Sequence, residues 1–358
     1  MTAQMEPNPR PELLDDSPAA ARAAGLRYYA DDRPGIRRRR CGRGFCYYAA
    51  DGELIRDREQ IERFRALAVP PAWKNVWITP LPHGHLQATG LDARDRKQYR
   101  YHAQWVSLRN RAKFNRLLEL SHYLPAMRHR LDRDLSRRGL DREKVLATVV
   151  CLLETSLIRI GNVEYRRANQ SFGLTTMRRH HLELNGTRIH FEFRGKSGKC
   201  HRVDLRDRRL ARILNQILEI PGQELFHYLA EDGRKRQIES GDVNDYLAAI
   251  SGRNFTAKDF RTWKATVLAT VELEALGPLG NKADAKKKVR EAVKRVAGHL
   301  GNRPPTCQKY YIHPDILDAY LDGTLPAILR ELDRSPQQIP DGLSFHEAAV
   351  QRLLSRNR

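Results

Sequence analysis

The sequence predicts an α+β protein: a small, antiparallel, β-rich N-terminal domain followed by a larger, mainly helical domain that carries a three-stranded β-meander. Three observations point there. Between Leu26 and about His102, short extended runs are punctuated by turn residues. From Val106 onward, apolar residues recur with the 3.6-residue period of amphipathic helices. Inside that helical part, residues 177–205 revert to a period of two around Asn185-Gly186 and Gly195-Lys196-Ser197-Gly198. The 358 residues suffice for two or three separately cored domains. The pattern divides them into a leader over 1–25, a β-rich domain over 26–105 and a mainly helical domain over 106–358.

The leader holds Pro7, Pro9, Pro11 and Pro18 without any period and reads as disordered. Turn signals at Cys41-Gly42-Arg43-Gly44 and Asp51-Gly52 divide the first extended runs. Ile61, Phe64 and Leu67, three apart, make Asp57–Leu67 a short helix that Pro70-Pro71 stops before Val76-Trp77-Ile78 and His85–Ala88 resume extended structure. Val106–Leu120 and Tyr123–Arg138 are basic amphipathic stretches. Asp141–Ile160 is the clearest helix, with Gly161 where a terminating glycine belongs, which puts Arg159 on its last turn. In the meander, Met177–Leu184 leads through Asn185-Gly186, which favours a type I′ turn, into Arg188–Arg194, and the second turn feeds Cys200–Leu205. Helices follow over Leu210–Leu218, Val243–Ile250, Ala257–Leu276, Lys282–Leu300 and Pro314–Leu321, and two further segments beyond Asp322 read as helical.

Composition excludes several classes. No run approaches the roughly 20 apolar residues of a membrane span, mean hydropathy is −0.64, and residues 1–24 lack an apolar signal-peptide core. A cytoplasmic chain is the expectation. The net charge of +21 calls for a polyanionic partner, nucleic acid first, because each cation can displace a counterion from phosphate. Five scattered cysteines read as reduced thiols, and neither they nor His180-His181 and His83-Gly84-His85 have partners at tetrahedral metal spacing. Gly195-Lys196-Ser197 fails as a phosphate loop, since His190 stands where the first glycine is required. No acidic cluster matches a two-metal nuclease. Neither metal nor ATP is expected.

Cleaving a phosphodiester without a metal takes fixed cations for the non-bridging oxygens, a hydroxyl nucleophile and a proton donor for the departing oxygen. The chain offers Arg159 in SLIRIGN, Lys196 at a hairpin tip in FRGKSGK, Lys258 and Arg261 at i, i+3 in KDFRTW, and Asn302 nine residues before Tyr311 in CQKYYIHP. Singly, each has a plainer reading: a helix-capping arginine, a solvated lysine, a basic surface pair, a core tyrosine. Among the cations only lysine can practically surrender a proton.

Taken in order, SLIRIGNVEYRRANQSFGLTTM, FEFRGKSGK, TAKDFRTWKAT, the Asn302–Tyr311 segment and RKQYRYH at 96–102 resemble poxvirus-like and bacterial type IB DNA topoisomerases, over about Leu26 to at least Asp322. The resemblance implies a tyrosine-recombinase-like catalytic domain and a C-shaped DNA clamp that acts as a monomer on double-stranded DNA, in the bacterial cytoplasm at the nucleoid. It implies no cofactor. Tyr311 would form a 3′-phosphotyrosyl link, Arg159 and Arg261 would hold the non-bridging oxygens, and Lys196, assisted by Lys258, would protonate the 5′ oxygen. The family register also selects Tyr311 over Tyr310, which the residues alone do not. Asn302 stands where poxvirus-type members have histidine, as in bacterial members, and can donate a hydrogen bond but no charge. Gln98, Tyr99 and Tyr101 match DNA-contacting positions, and Tyr165, Arg166 and Arg167 are placed to grip phosphates. A tyrosine site-specific recombinase is the alternative, but it carries His-x-x-Arg where this chain has Lys258 to Arg261.

Overall fold

The computed structural model describes residues 17–230, 232–277 and 280–356. The chain divides into two compact units after Arg116. Most of the expected leader, residues 1–16, lies outside the described residues. Residues 18–23 depart from that expectation by forming helix α1 (Pro18–Ala23). The Ser17 hydroxyl accepts from the Ala20 N–H, Pro18 supplies a preset φ at the first position, and Ala20 and Ala21 are buried with Leu26 and Trp105. Six alanine-rich residues are too few to display a period, so this helix is set by its cap and its burial.

The first unit is built on an open antiparallel sheet of β1 (Ile36–Cys41), β2 (Gly44–Tyr48), β3 (Lys74–Ile78), β4 (Leu86–Leu91) and β5 (Lys97–Tyr101), in the order β2-β1-β3-β4-β5. Gly42-Arg43 turns β1 into β2, with Cys41 opposite Gly44. Helix α2 (Arg58–Ala66), capped by Asp57, brings Phe64 into a core with Ile36, Tyr47, Val76, Ile78 and Ala88. β5 is an edge strand of this sheet.

Helix α3 (Ala103–Leu135) joins the two amphipathic stretches expected separately, and runs through Pro125. An interior proline costs about 3 kcal/mol, and here the burial of Leu117, Leu120, Leu124, Met127 and Leu131 on the same helix offsets it. The second unit continues with α4 (Arg142–Ser156), α5 (Val163–Asn169), a three-stranded antiparallel sheet of β6 (Leu182–Asn185), β7 (Arg188–Arg194) and β8 (Cys200–Arg206), then α6 (Arg208–Glu219), a hairpin of β9 (His227–Leu229) and β10 (Lys235–Gln237), and α7 (Ser240–Ser251). Helices α8 (Ala257–Ala275), α9 (Lys282–Leu300), α10 (Pro304–Tyr311), α11 (Pro314–Leu321), α12 (Thr324–Arg334) and α13 (Phe345–Arg356) complete it. Among the described residues no helix is long and apolar enough to cross a membrane.

Two local expectations need correcting. The β6–β7 turn is Gly186-Thr187, one residue later than expected, because Asn185 still pairs with Arg188. Only its first position has a positive φ (58°), which is the type II′ pattern and not type I′. Helix α4 ends at Ser156, not near Ile160. The Ser156 hydroxyl bonds back to the Leu152 carbonyl and also accepts the Ile158 N–H, and Leu157 enters the left-handed region (φ 57°), so side-chain bonding outcompetes another helical turn.

Candidate active site

The early end of α4 frees Arg159 from the helix. It sits in an extended segment whose carbonyls at Arg159 and Ile160 accept from the Leu174 and Thr175 N–H groups at 2.9 and 2.8 Å. From there its guanidinium donates to the Asn302 side-chain oxygen and interacts with Tyr311. Asn302 is placed by the end of α9: Gly301 adopts φ 62°, its N–H returns to the Ala297 and Gly298 carbonyls, and the Asn302 N–H also reaches Ala297. Pro304 then opens α10, and Tyr311 is its last residue. That helix has no strong apolar period and went unassigned in the sequence reading.

Arg261 comes from the second turn of α8. It is buried, donates through Nη2 to the Leu300 carbonyl, and lies over the Tyr311 ring with Cζ 5.6 Å from the centroid. Arg159, Arg261, Asn302 and Tyr311 therefore meet in one place. Burial holds Arg159 below the usual arginine range. Burial first, and the Arg159 charge second, push Arg261 down to about 10, which leaves both guanidiniums protonated at neutral pH. A buried cation and a half-buried one side by side favour a negative group between them. The Arg261 Nε and the Asn302 Nδ2 are buried donors without a partner, and a phosphate oxygen is the kind of acceptor such donors take.

The remaining candidates are placed differently. Lys196 is exposed on the turn between β7 and β8, in a helical turn over Lys196–Gly198, with its Nζ 5.9 Å from the Tyr165 ring centroid. Lys258 lies on the first turn of α8, exposed, while Arg261 three residues on is buried. Tyr165 and Arg167 are exposed on α5, but Arg166 is engaged in an ion pair with Glu224 at 3.3 Å. In the first unit, β5 carries Gln98, whose amide donates to Asp92 at 3.1 Å, and Tyr99 and Tyr101, whose rings stack with centroids 6.0 Å apart.

Two residues of the site escaped the sequence reading. The Thr266 hydroxyl on α8 lies 3.3 Å from the Tyr311 carbonyl and accepts the His313 N–H at 3.1 Å, fixing the chain on either side of Ile312. His201 on β8 is wedged beside Gly301. A threonine on a helix and a histidine in an alternating strand carry no signal of their own, since their partners lie 45 and 100 residues away.

Comparison with known proteins now bears on this arrangement. The family model described as "Eukaryotic DNA topoisomerase I, catalytic core" matches residues 102–330, and "Bacterial DNA topoisomerase IB, N-terminal domain" matches residues 44–92. The chain is 29% identical to a DNA topoisomerase 1B of Acanthamoeba polyphaga mimivirus over 80% of its own length and 87% of the relative's. It is 24% identical to a DNA topoisomerase 1 of rabbit fibroma virus (81% and 94% covered), and 22% identical to the vaccinia virus DNA topoisomerase 1B (65% and 72%). The catalytic-core match spans well over half of the chain and takes in every residue that meets around Tyr311; this protein belongs to the type IB family of DNA topoisomerases.

Proposed function

We propose that the chain relaxes positive and negative supercoils in double-stranded DNA by transient single-strand cleavage, without ATP or a metal. The observation that carries this reading is the Tyr311 side chain set against the buried Arg261 and half-buried Arg159 guanidiniums, beside buried donors without partners. Tyr311 Oη attacks the scissile phosphorus, its proton passing to solvent, while the bond from phosphorus to the 5′ oxygen breaks. Arg159, Arg261 and Asn302 hold the non-bridging oxygens as charge develops there. Lys196 protonates the departing 5′ oxygen, with Lys258 assisting from α8. The phosphodiester is exchanged for a 3′-phosphotyrosyl ester of similar energy, so strand rotation and reversal need no nucleotide. Gln98, Tyr99 and Tyr101 of the N-terminal unit contact the same duplex, and Tyr165 and Arg167 grip its phosphates. The enzyme acts as a monomer in the bacterial cytoplasm.

The test is relaxation of plasmids supercoiled in either sense, in EDTA and without nucleotide. Relaxation of both is expected. Tight, salt-sensitive DNA binding with no relaxation of either would overturn the reading in favour of a recombinase that requires its own site.

A further inference from the structure

On β8, the His201 ring stacks on Phe193 of β7, with centroids 5.3 Å apart and 10° between the planes. The far edge of the imidazole is wedged between two glycines from different elements. A Cβ on Gly195, at the base of the Lys196 turn, would lie 2.4 Å from Cδ2 and 2.7 Å from Nε2. A Cβ on Gly301, the residue before Asn302, would lie 2.2 Å from Cε1 and 3.0 Å from Nε2. These separations are too short for real contacts, so the ring occupies the space where those side chains would go. At Gly195 the backbone is ordinary (φ −96°), so it is the crowding by the ring, not the φ angle, that favours glycine there. Nε2 is buried and has no partner.

We propose that His201 is a positioning residue that couples the Lys196 turn to the Asn302 loop and keeps the proton donor in register with the phosphate-holding groups. The inference rests on the roles of Lys196 and Asn302 proposed above. Burial, and then the charges of Arg159, Arg261 and Lys199, hold the imidazole below its ordinary pKa, so the ring is neutral at neutral pH and acts through shape. A ring touching both backbones transmits a shift of one to the other, and a misplacement of 1 Å at a reacting group can cost about 100-fold in rate.

The experiment measures single-turnover cleavage of a duplex whose scissile linkage carries either oxygen or sulfur at the 5′-bridging position. Sulfur leaves without a proton, so it reports every step except proton donation. His201→Ala is expected to slow oxygen cleavage by about 100-fold and sulfur cleavage much less. Gly195→Ala, which drives a methyl into the ring, should behave the same way. The Gly195→Ala/His201→Ala double variant should be no slower than His201→Ala, because the ring that the methyl strikes is gone. Equal slowing of both substrates, wild-type rates in either single variant, or multiplying effects in the double variant would overturn the proposal. Gly195→Ala alone decides it should His201→Ala not fold. A wild-type enzyme that forms no covalent adduct, or a Lys196→Ala variant that sulfur does not rescue, would instead bring down the proposed function.

Discussion

Tyr311 is held at its ring, its carbonyl and its hydroxyl side by groups that are themselves fixed: Arg261 by the Leu300 carbonyl, Thr266 by its place on α8, and Arg159 by Asn302. If Tyr311 is the nucleophile, Tyr311→Phe keeps the ring and removes only the attacking oxygen. Cleavage should fall by about 10⁴-fold or more, while DNA affinity in a filter-binding assay stays near that of the wild type. A covalent adduct in that variant would pass the role to exposed Tyr310. At this scale the ordered motifs and the family resemblance, not residue type alone, singled out Arg159, Arg261 and Tyr311, which the structure brings together. The sequence was unreadable where the role is contact. Lys258 and Arg261, at i and i+3, were read as catalytic candidates on one helical face, yet burial separates them, because α9 and α10 pack on α8. Nothing in the spacing of a helix says where its neighbours begin to cover it.

Helix α8 is the element on which the site depends, and it is anchored from behind by α13. Glu347 on α13 is buried, accepts both Arg128 nitrogens (Nη1 at 2.9 Å, Nη2 at 2.7 Å), and receives the Trp263 indole N–H at 3.2 Å, two residues beyond Arg261. Burial alone would raise the Glu347 pKa, but Arg128 and the Ser344 N–H overcome it and pull the carboxyl down to about 2. A folded-state pKa below the unfolded value contributes stability that is present above about pH 4.5 and lost as the pH falls toward 2. Glu347→Gln should cost about 3 kcal/mol at pH 7 and flatten the decline of the melting temperature over that acid range; a variant that melts like the wild type at pH 7 would contradict the anchor. Element boundaries were legible at α9, read as Lys282 to Leu300 and capped there by Asn281 and Gly301. They were illegible where a side chain captures the backbone, as Ser156 does at the end of α4.

Over the whole chain, the net charge of +21 makes affinity for DNA a matter of counterion release. Binding should weaken by about 10³-fold or more between 50 and 200 mM salt, as measured by a fluorescence titration with a non-cleavable duplex. A flat response would mean that the charge does not face phosphate. The α+β division was legible because periods of 2 and 3.6 differ plainly, whereas the sheet order β2-β1-β3-β4-β5 was not, since pairing β1 with β3 leaves no mark in either strand. The Glu347 anchor also orders events in time. Its two charged partners stand 219 residues apart, among the longest-range contacts in the chain. A ribosome making this protein releases Arg128, Trp263 and the Tyr311 constellation well before Glu347. Until α13 emerges, the nascent chain holds its candidate nucleophile without the anchor behind α8, so the candidate site gains that support only after its own residues have been made.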